Sequence, residues 1–171
     1  KINLLGFSQE KLEQFFSEMN EPSFRAKQLL KWVHQQGELD FSNMTNFNKP
    51  LREKMQKLAV LVPPKLKKVL VSEDGTKKYL IQLDSGSSIE MVRIPEKKRM
   101  TLCISSQAGC ALQCTFCATG AQGFEKNLSA DEIIGQLWLA NFHDKKDSPI
   151  TNVVFMGMGE PLLNFEPVIE S

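Results

Sequence analysis

The spacing of apolar residues changes once along the chain, at the double proline at 63–64. Before it, apolar residues recur every three or four positions, which is the repeat of a helix with one buried face. Three segments have this repeat: 8–19, 23–37 and a third that begins near residue 50. The pattern predicts a helical domain over residues 1–62, with an apolar core of Leu12, Phe15, Phe16, Met19, Ala26, Leu29, Leu30, Val33, Leu51, Met55, Leu58 and Val62.

Beyond the double proline, apolar and polar residues alternate with a period of two, which is typical of strands that bury one face. Three such segments, at 69–71, 79–83 and 89–94, are separated by turn-forming sequences rich in Gly, Asp and Ser. Short strands joined by such turns favour antiparallel hairpins. We therefore predict a β-meander linker over residues 63–98.

The pattern over the remaining residues, 99–171, predicts alternating strands and helices. A strand is predicted over 99–106, a helix after the capping box at 129–132, and a second strand over 153–156. This last segment is continuously apolar, so we expect a parallel strand buried on both faces. The predicted fold class is α/β: a small amino-terminal helical domain, a β-meander, and the first β/α units of a partial TIM-like barrel.

A cysteine-rich loop follows the strand over 99–106. Cys110, Cys114 and Cys117 have the spacing C-x3-C-x2-C. Three thiolates on one loop can hold three irons of a [4Fe–4S] cluster, which leaves the fourth iron open to S-adenosylmethionine (SAM). Structural zinc sites take two C-x2-C pairs, and only Cys114 and Cys117 form one here. The spacing therefore favours a cluster over zinc, and either over three merely buried thiols.

A glycine-rich turn follows the strand over 153–156. Gly157 and Gly159 lack a Cβ, so the backbone there can approach a ligand closely, and Glu160 adds an acceptor for an ammonium group. Alone, such a turn usually marks only a tight strand-to-helix connection. About forty residues after a cysteine loop, it becomes a candidate cofactor site.

The charge distribution and the arrangement of the cysteines indicate which binding partners and which cellular location the sequence favours. The net charge is +1, but residues 1–100 have 18 basic and 12 acidic side chains, against 3 and 8 in residues 101–171. A basic front half suits a polyanion such as RNA, with Arg25, Lys27 and Lys31 as candidate phosphate contacts, although a solvated surface gives the same count. Clustered cysteines and the lack of an apolar run of about 20 residues predict a cytoplasmic protein without a membrane span.

The amino-acid sequences of these motifs resemble those of a known family. The segments CISSQAGCALQCTFCATG at 103–120 and ITNVVFMGMGEPLLN at 150–164, with FRAKQ at 24–28, resemble the radical-SAM RNA methyltransferases that methylate adenine C2 in large-subunit ribosomal RNA and tRNA. The resemblance covers the whole chain. It implies 23S rRNA and tRNA as substrates, a reductant such as flavodoxin or ferredoxin, and a monomer.

The resemblance also implies roles for individual residues. The three loop cysteines hold the cluster, Gly159 and Glu160 bind SAM, Glu90 accepts a proton, and Cys103 is a second catalytic cysteine that resolves a covalent enzyme–RNA intermediate. Without the resemblance, Cys103 and Glu90 would read as ordinary strand residues.

The resemblance further implies a methyl-carrying cysteine near the carboxyl terminus. No cysteine follows Cys117, so we expect the chain to be the amino-terminal half of the enzyme and inactive alone. Two other interpretations stay open: a non-catalytic, metal-stabilised RNA-binding module, and a sister methyltransferase that acts at adenine C8.

Overall fold

The computed structural model describes residues 1–112, 114–143 and 148–171. Its amino-terminal part contains three helices and a short parallel strand pair, which joins the two ends of this part. The elements are β1 (Ile2–Asn3), α1 (Gln9–Glu18), α2 (Phe24–Gln35), α3 (Lys49–Leu58) and β2 (Ala59–Val60), with a 3-10 turn at Phe41–Asn43.

Two of these helices begin at side-chain caps. Ser8 Oγ accepts a hydrogen bond from the Lys11 N–H at 3.3 Å, and Asn48 Oδ1 accepts one from the Leu51 N–H at 2.9 Å. Such caps satisfy N–H groups that have no partner within the helix. The apolar faces of the helices meet in a core that contains Leu12, Phe15, Phe16, Ala26, Leu29, Val33, Leu51 and Met55.

The third helix is shorter than its apolar repeat predicts. It ends at Leu58, and the chain becomes extended in β2. The predicted inward positions of Leu58 and Val62 are therefore wrong: their side chains are 45% and 43% exposed. The register is lost because the chain leaves the helix to pair with β1.

The second part is built on a five-stranded sheet. Its strands are β3 (Lys65–Val71), β4 (Lys77–Gln82), β5 (Ser88–Pro95), β6 (Met100–Cys103) and β9 (Asn152–Val154). They lie in the order β3-β4-β5-β6-β9. Neighbouring strands are antiparallel, except that β6 and β9 are parallel.

Further elements surround this sheet. The sequence pattern did not predict an antiparallel pair beside it, β7 (Gln107–Gly109) with β8 (Phe124–Asn127). The helices of this part are α4 (Ala118–Gln122), α5 (Ala130–Phe142) and α6 (Phe165–Glu170), with a 3-10 turn at Pro161–Asn164.

One face of the sheet packs against α5 and the other carries the polar candidates. The covered face contributes Tyr79, Ile81, Leu83, Ile89, Met91, Leu102 and Ile104 to the second core. Cys103 is paired with Val92 on one side and Val154 on the other. Since residues alternate between faces along a strand, Cys103 and Glu90 lie on the face opposite this core.

The last strand of the sheet differs from the prediction. We expected residues 153–156 to be buried on both faces, but Val153 is 41% exposed and Met156 is 80% exposed. In the described part of the chain, β9 lies at the sheet edge and pairs only with β6.

Helix α5 connects the two cores. Ile134 and Trp138 pack against the helical core, whereas Ile133 and Leu139 belong to the sheet core. The Trp138 indole Nε1–H also donates to the Val33 carbonyl oxygen at 3.1 Å. In the part of the chain that the structure describes, no helix is long and apolar enough to span a membrane.

Candidate active site

The cysteine loop connects β7 to α4. Its first cysteine, Cys110, is buried, and its N–H donates to the Gly123 carbonyl oxygen at 3.0 Å. Cys114 is exposed and Cys117 is half-buried, and the Cys117 N–H donates to the Cys114 carbonyl oxygen at 3.0 Å. All three thiols are free, so the loop is held by backbone hydrogen bonds and not by disulfides.

The structure brings two of these thiols to one cavity. Cys114 and Cys117 line an open cavity of about 380 Å³, together with residues of α4. Cys110 does not line it, and among the described residues no three His, Cys, Asp or Glu side chains are grouped closely enough to bind a metal ion. The three-cysteine ligand set is thus a prediction that these positions do not test.

The donor chemistry of the loop suits an iron–sulfur cluster. The backbone N–H groups of Gly120 and Thr119 hydrogen-bond to Cys117 and hold the pKa of its thiol below the ordinary value. A lowered pKa favours the thiolate, which is the form that binds metals. A Cβ at Gly120 would lie 3.2 Å from the Cys114 backbone nitrogen, so a glycine there lets the loop close against α4.

The Gly157–Glu160 turn follows β9 and packs against the segment that follows β6. A Cβ on Gly157 would lie 2.7 Å from the Ile104 carbonyl oxygen, and one on Gly159 would lie 2.4 Å from the Gln107 Cβ. Gly159 also has φ +92°, a conformation that other residues rarely adopt. Both predicted glycines are therefore required by close backbone approach, whatever the turn binds.

Hydrogen bonds join this turn to the segment between β6 and the cysteine loop. The Met158 N–H donates to Ser105 Oγ at 2.8 Å, and the Met158 carbonyl oxygen accepts from the Ser106 N–H at 2.9 Å. Glu160 Oε1 accepts from the Leu162 N–H at 3.1 Å and caps the following 3-10 turn. The turn is thus adjacent to the segment that leads from the carboxyl end of β6 toward the cysteine loop.

Glu90 lies on the same side of the molecule. Its side chain lines a cavity of about 590 Å³ whose wall includes Met158 and, on α4, Thr119 and Gln122. The Glu90 carboxylate forms an ion pair with the Lys78 Nζ at 2.8 Å. The structure therefore brings Glu90 to one cavity with residues from both motif regions.

Cys103 is half-buried on the open face of the sheet. Burial raises the pKa of its thiol above the ordinary value, and a hydrogen bond from the Met156 backbone offsets part of that rise. Cys103 is thus a protonated thiol at neutral pH, beside the strand that leads to the Gly157–Glu160 turn.

Sequence analysis missed the buried polar residues that join these parts. Gln136 of α5 exchanges two hydrogen bonds of 2.9 Å with the backbone of Ser105. Asn164 donates from Nδ2 to the carbonyl oxygens of Ser106 and Leu128, both at 2.8 Å. The only sequence signal was that Gln136 and Asn164 interrupt apolar stretches, and many exposed residues do the same.

The basic face of α2 differs from the sequence interpretation in one residue. Lys27 and Lys31 are exposed one turn apart. Arg25 is instead held by its neighbours, because its Nη1 donates to Gln28 Oε1 at 2.8 Å and to the Asn46 carbonyl oxygen at 3.1 Å. Its guanidinium also packs on two phenylalanine rings. Arg25 is therefore a structural residue of the helical domain.

Comparison with known proteins gives consistent matches. The family model "Ribosomal RNA large subunit methyltransferase N-terminal domain" matches residues 2–61. The dual-specificity RNA methyltransferase RlmN of Marinobacter nauticus is 52% identical over all of this chain and 47% of its own length. Its counterpart from Pseudomonas putida strain F1 is 55% identical over 99% of this chain and 46% of its own length.

The chain is similar to part of the dual-specificity RNA methyltransferases named RlmN. The family predicted from the sequence is confirmed, and the chain spans about half the length of the curated relatives it matches. A solved radical SAM methyltransferase from Sphaerobacter thermophilus superposes with a TM-score of 0.89 at 34% identity, over 99% of this chain and 50% of its own. This match confirms the predicted fold class.

Proposed function

We propose that the chain carries the cofactor-binding part of a radical-SAM methyltransferase that acts on adenine C2 of 23S rRNA and tRNA. One observation carries this proposal. The Gly157–Glu160 turn follows the parallel strand β9 and is hydrogen-bonded to residues 104–107, the segment that leads from the carboxyl end of β6 toward the cysteine loop. In barrels of parallel strands, that end holds the reactive groups.

Cys110, Cys114 and Cys117 would hold a [4Fe–4S] cluster, and Gly159 and Glu160 would bind SAM. When bound, these two cofactors supply one-electron radical chemistry, which an electron-poor carbon such as adenine C2 requires because it does not attack an electrophilic methyl group. The protein contributes binding and orientation. A reductant of the flavodoxin or ferredoxin type would deliver the electron.

Glu90 is the proposed proton acceptor. Its side chain lines the cavity shared with residues of both motif regions and forms an ion pair with Lys78. The cavity volume is about 590 Å³, which lies in the range of small-molecule sites and can take a single base.

Cys103 is the proposed second catalytic cysteine. As a protonated thiol it must lose its proton before it attacks sulfur, because the thiolate is the nucleophile. Its position on β6, one strand from Glu90 on β5, places thiol and carboxylate on the same face of the sheet.

Two basic regions would guide the RNA. Lys27 and Lys31 form an exposed pair on α2. Lys68 and Lys78, on β3 and β4, lie on the same face of the sheet as Glu90, since Lys68 pairs with Leu80 and Leu80 pairs with Glu90. Phosphate contacts by lysines supply most non-specific nucleic-acid affinity.

The test is anaerobic incubation of reconstituted residues 1–171 with SAM and dithionite. We expect 5′-deoxyadenosine, its loss in Cys110→Ala, and its retention in the matched variant Cys103→Ala. A cluster-containing protein that forms none would favour the non-catalytic RNA-binding module. Residues 1–171 alone should not methylate ribosomal RNA. Supplying the carboxyl-terminal half of a relative should give 2-methyladenosine by mass analysis, whereas 8-methyladenosine would assign the chain to the sister enzymes.

A further inference from the structure

Gln107 is neither a loop cysteine nor part of the Gly157–Glu160 turn, but it contacts this turn with its side chain. It is 1% exposed. Its Oε1 accepts a hydrogen bond from the Glu160 N–H at 2.9 Å, and its Nε2 donates to Asn127 Oδ1 at 2.9 Å. A buried amide with both ends bonded has one favourable orientation.

The backbone of Gln107 contacts the same turn. Its N–H donates to the Met158 carbonyl oxygen at 3.2 Å. The Gln107 Cβ fills the space that a side chain on Gly159 would need. Gln107 therefore touches three successive residues, Met158, Gly159 and Glu160, and no other residue on β7 or β8 has comparable contacts to the turn in the hydrogen bonds of the described chain.

The Glu160 N–H determines which end of the Gln107 amide faces the turn. Because this backbone group can only donate, the Gln107 carbonyl oxygen points toward Glu160 and the Gln107 NH₂ group points toward β8. There it donates to Asn127, which lies opposite Gln107 in the β7–β8 pair. The reverse orientation would place two donors against each other at Glu160.

We propose that Gln107 is a positioning residue that fixes the backbone of Glu160 for SAM binding. This inference rests on the proposed function, because it takes Glu160 as a SAM contact. Glu160 is held on its other side by the bond between its Oε1 and the Leu162 N–H. With Gln107 in place, the turn has one conformation before any ligand arrives, and SAM binding need not order it.

Three variants test this role. Gln107→Met keeps the size of the side chain but has no carbonyl acceptor for the Glu160 N–H. Gln107→Glu keeps an acceptor there, and Asn127 can present its NH₂ group by turning over. Trp138→Phe is the control, since it removes one side-chain hydrogen bond at α5, to the Val33 carbonyl oxygen, away from the turn.

Two measurements are made on each variant. Amide hydrogen exchange at Glu160 reports on the turn without any cofactor, and equilibrium dialysis of the reconstituted protein gives the dissociation constant for SAM. Melting temperatures measure any general loss of stability. For Gln107→Met we expect faster exchange at Glu160 and SAM binding weakened about tenfold or more, as for other residues that orient a ligand-binding group. Gln107→Glu should restore both.

The outcomes separate this inference from the proposed function. Unchanged exchange at Glu160 in Gln107→Met, or equal changes in Trp138→Phe, would overturn the positioning role. Faster exchange with unchanged SAM affinity would overturn it as well. If the unmodified protein binds no SAM, the proposed function fails and this inference with it, whereas SAM binding that is insensitive to Gln107 removes only the inference.

Discussion

The close packing of Gly159 against Gln107 gives a prediction with an internal control. Gly159 and Gly86 have almost the same backbone conformation, with φ +92° and +91°. They differ in surroundings, because a Cβ on Gly159 would lie 2.4 Å from the Gln107 Cβ, whereas nothing lies within 4 Å of a Cβ on Gly86. Replacing each glycine by alanine therefore separates backbone strain from steric contact.

The expected magnitudes follow from these two differences. Alanine in the left-handed region costs about 1–2 kcal/mol at either position. At position 159 the added methyl group must also displace buried atoms, which costs about 1–3 kcal/mol more. For a chain of this size, 1 kcal/mol lowers the melting temperature by about 2–4 °C. Gly86→Ala should thus lower it by about 2–8 °C, and Gly159→Ala by a further 2–12 °C or so.

The assay is thermal unfolding followed by circular dichroism, with urea unfolding as a check. Gly159→Ala should cost less when introduced into Gln107→Gly than into the unmodified protein, because Gln107→Gly removes the Cβ and Cγ atoms that lie 2.4 and 2.7 Å from the added methyl group. Equal losses for Gly86→Ala and Gly159→Ala would refute the close contact between the turn and β7, and with it the geometry on which the cofactor site is built.

Three further predictions concern charge and titration. Charge reversal of Lys27 and Lys31 should weaken RNA binding. It should also reduce the slope of log affinity against log salt by about 0.7–0.9 for each lysine–phosphate pair removed. An unchanged slope in filter binding would show that these α2 lysines face solvent and do not contact RNA. Burial holds the pKa of His34 below 6.5. The unfolded chain therefore binds the proton first, and the free energy of unfolding should fall as the pH drops from 6.5 toward the folded-state pKa. His34→Gln should remove this pH dependence in urea titrations, and an unaltered dependence would contradict the prediction. The alkylation rate of Cys103, followed by mass spectrometry, should keep rising beyond pH 9.0 because burial raises the pKa of its thiol, and a plateau below that pH would contradict it.

The periodic parts of the fold could be predicted from the sequence. The alternation over residues 79–83 reappears as buried Tyr79, Ile81 and Leu83, because one sheet face packs on α5 and the other does not. The short pair of β7 and β8 could not be predicted in this way. Three residues, Gln107 to Gly109, are too few for a repeat, and a buried glutamine is chemically indistinguishable from an exposed one in a sequence.

The candidate site, too, could be predicted from the sequence only in part. The spacing of Cys110, Cys114 and Cys117 and the Gly159-Glu160 pair indicated a cofactor site because their chemistry is local. The contact between the Gly157–Glu160 turn and the segment that precedes the cysteine loop depends on parallel pairing of β6 with β9, which is a long-range choice that spacing does not encode.

The most direct test of the central claim is the metal and sulfide content of the anaerobically reconstituted chain. We predict a brown protein with about four irons and four acid-labile sulfides per chain, as three-thiolate ligation of a cubane cluster implies. Alanine at Cys110, Cys114 or Cys117 should abolish this content, and alanine at Cys103 should leave it unchanged. Stoichiometric zinc without acid-labile sulfide, or a full cluster in the absence of any one of the three loop cysteines, would contradict the account.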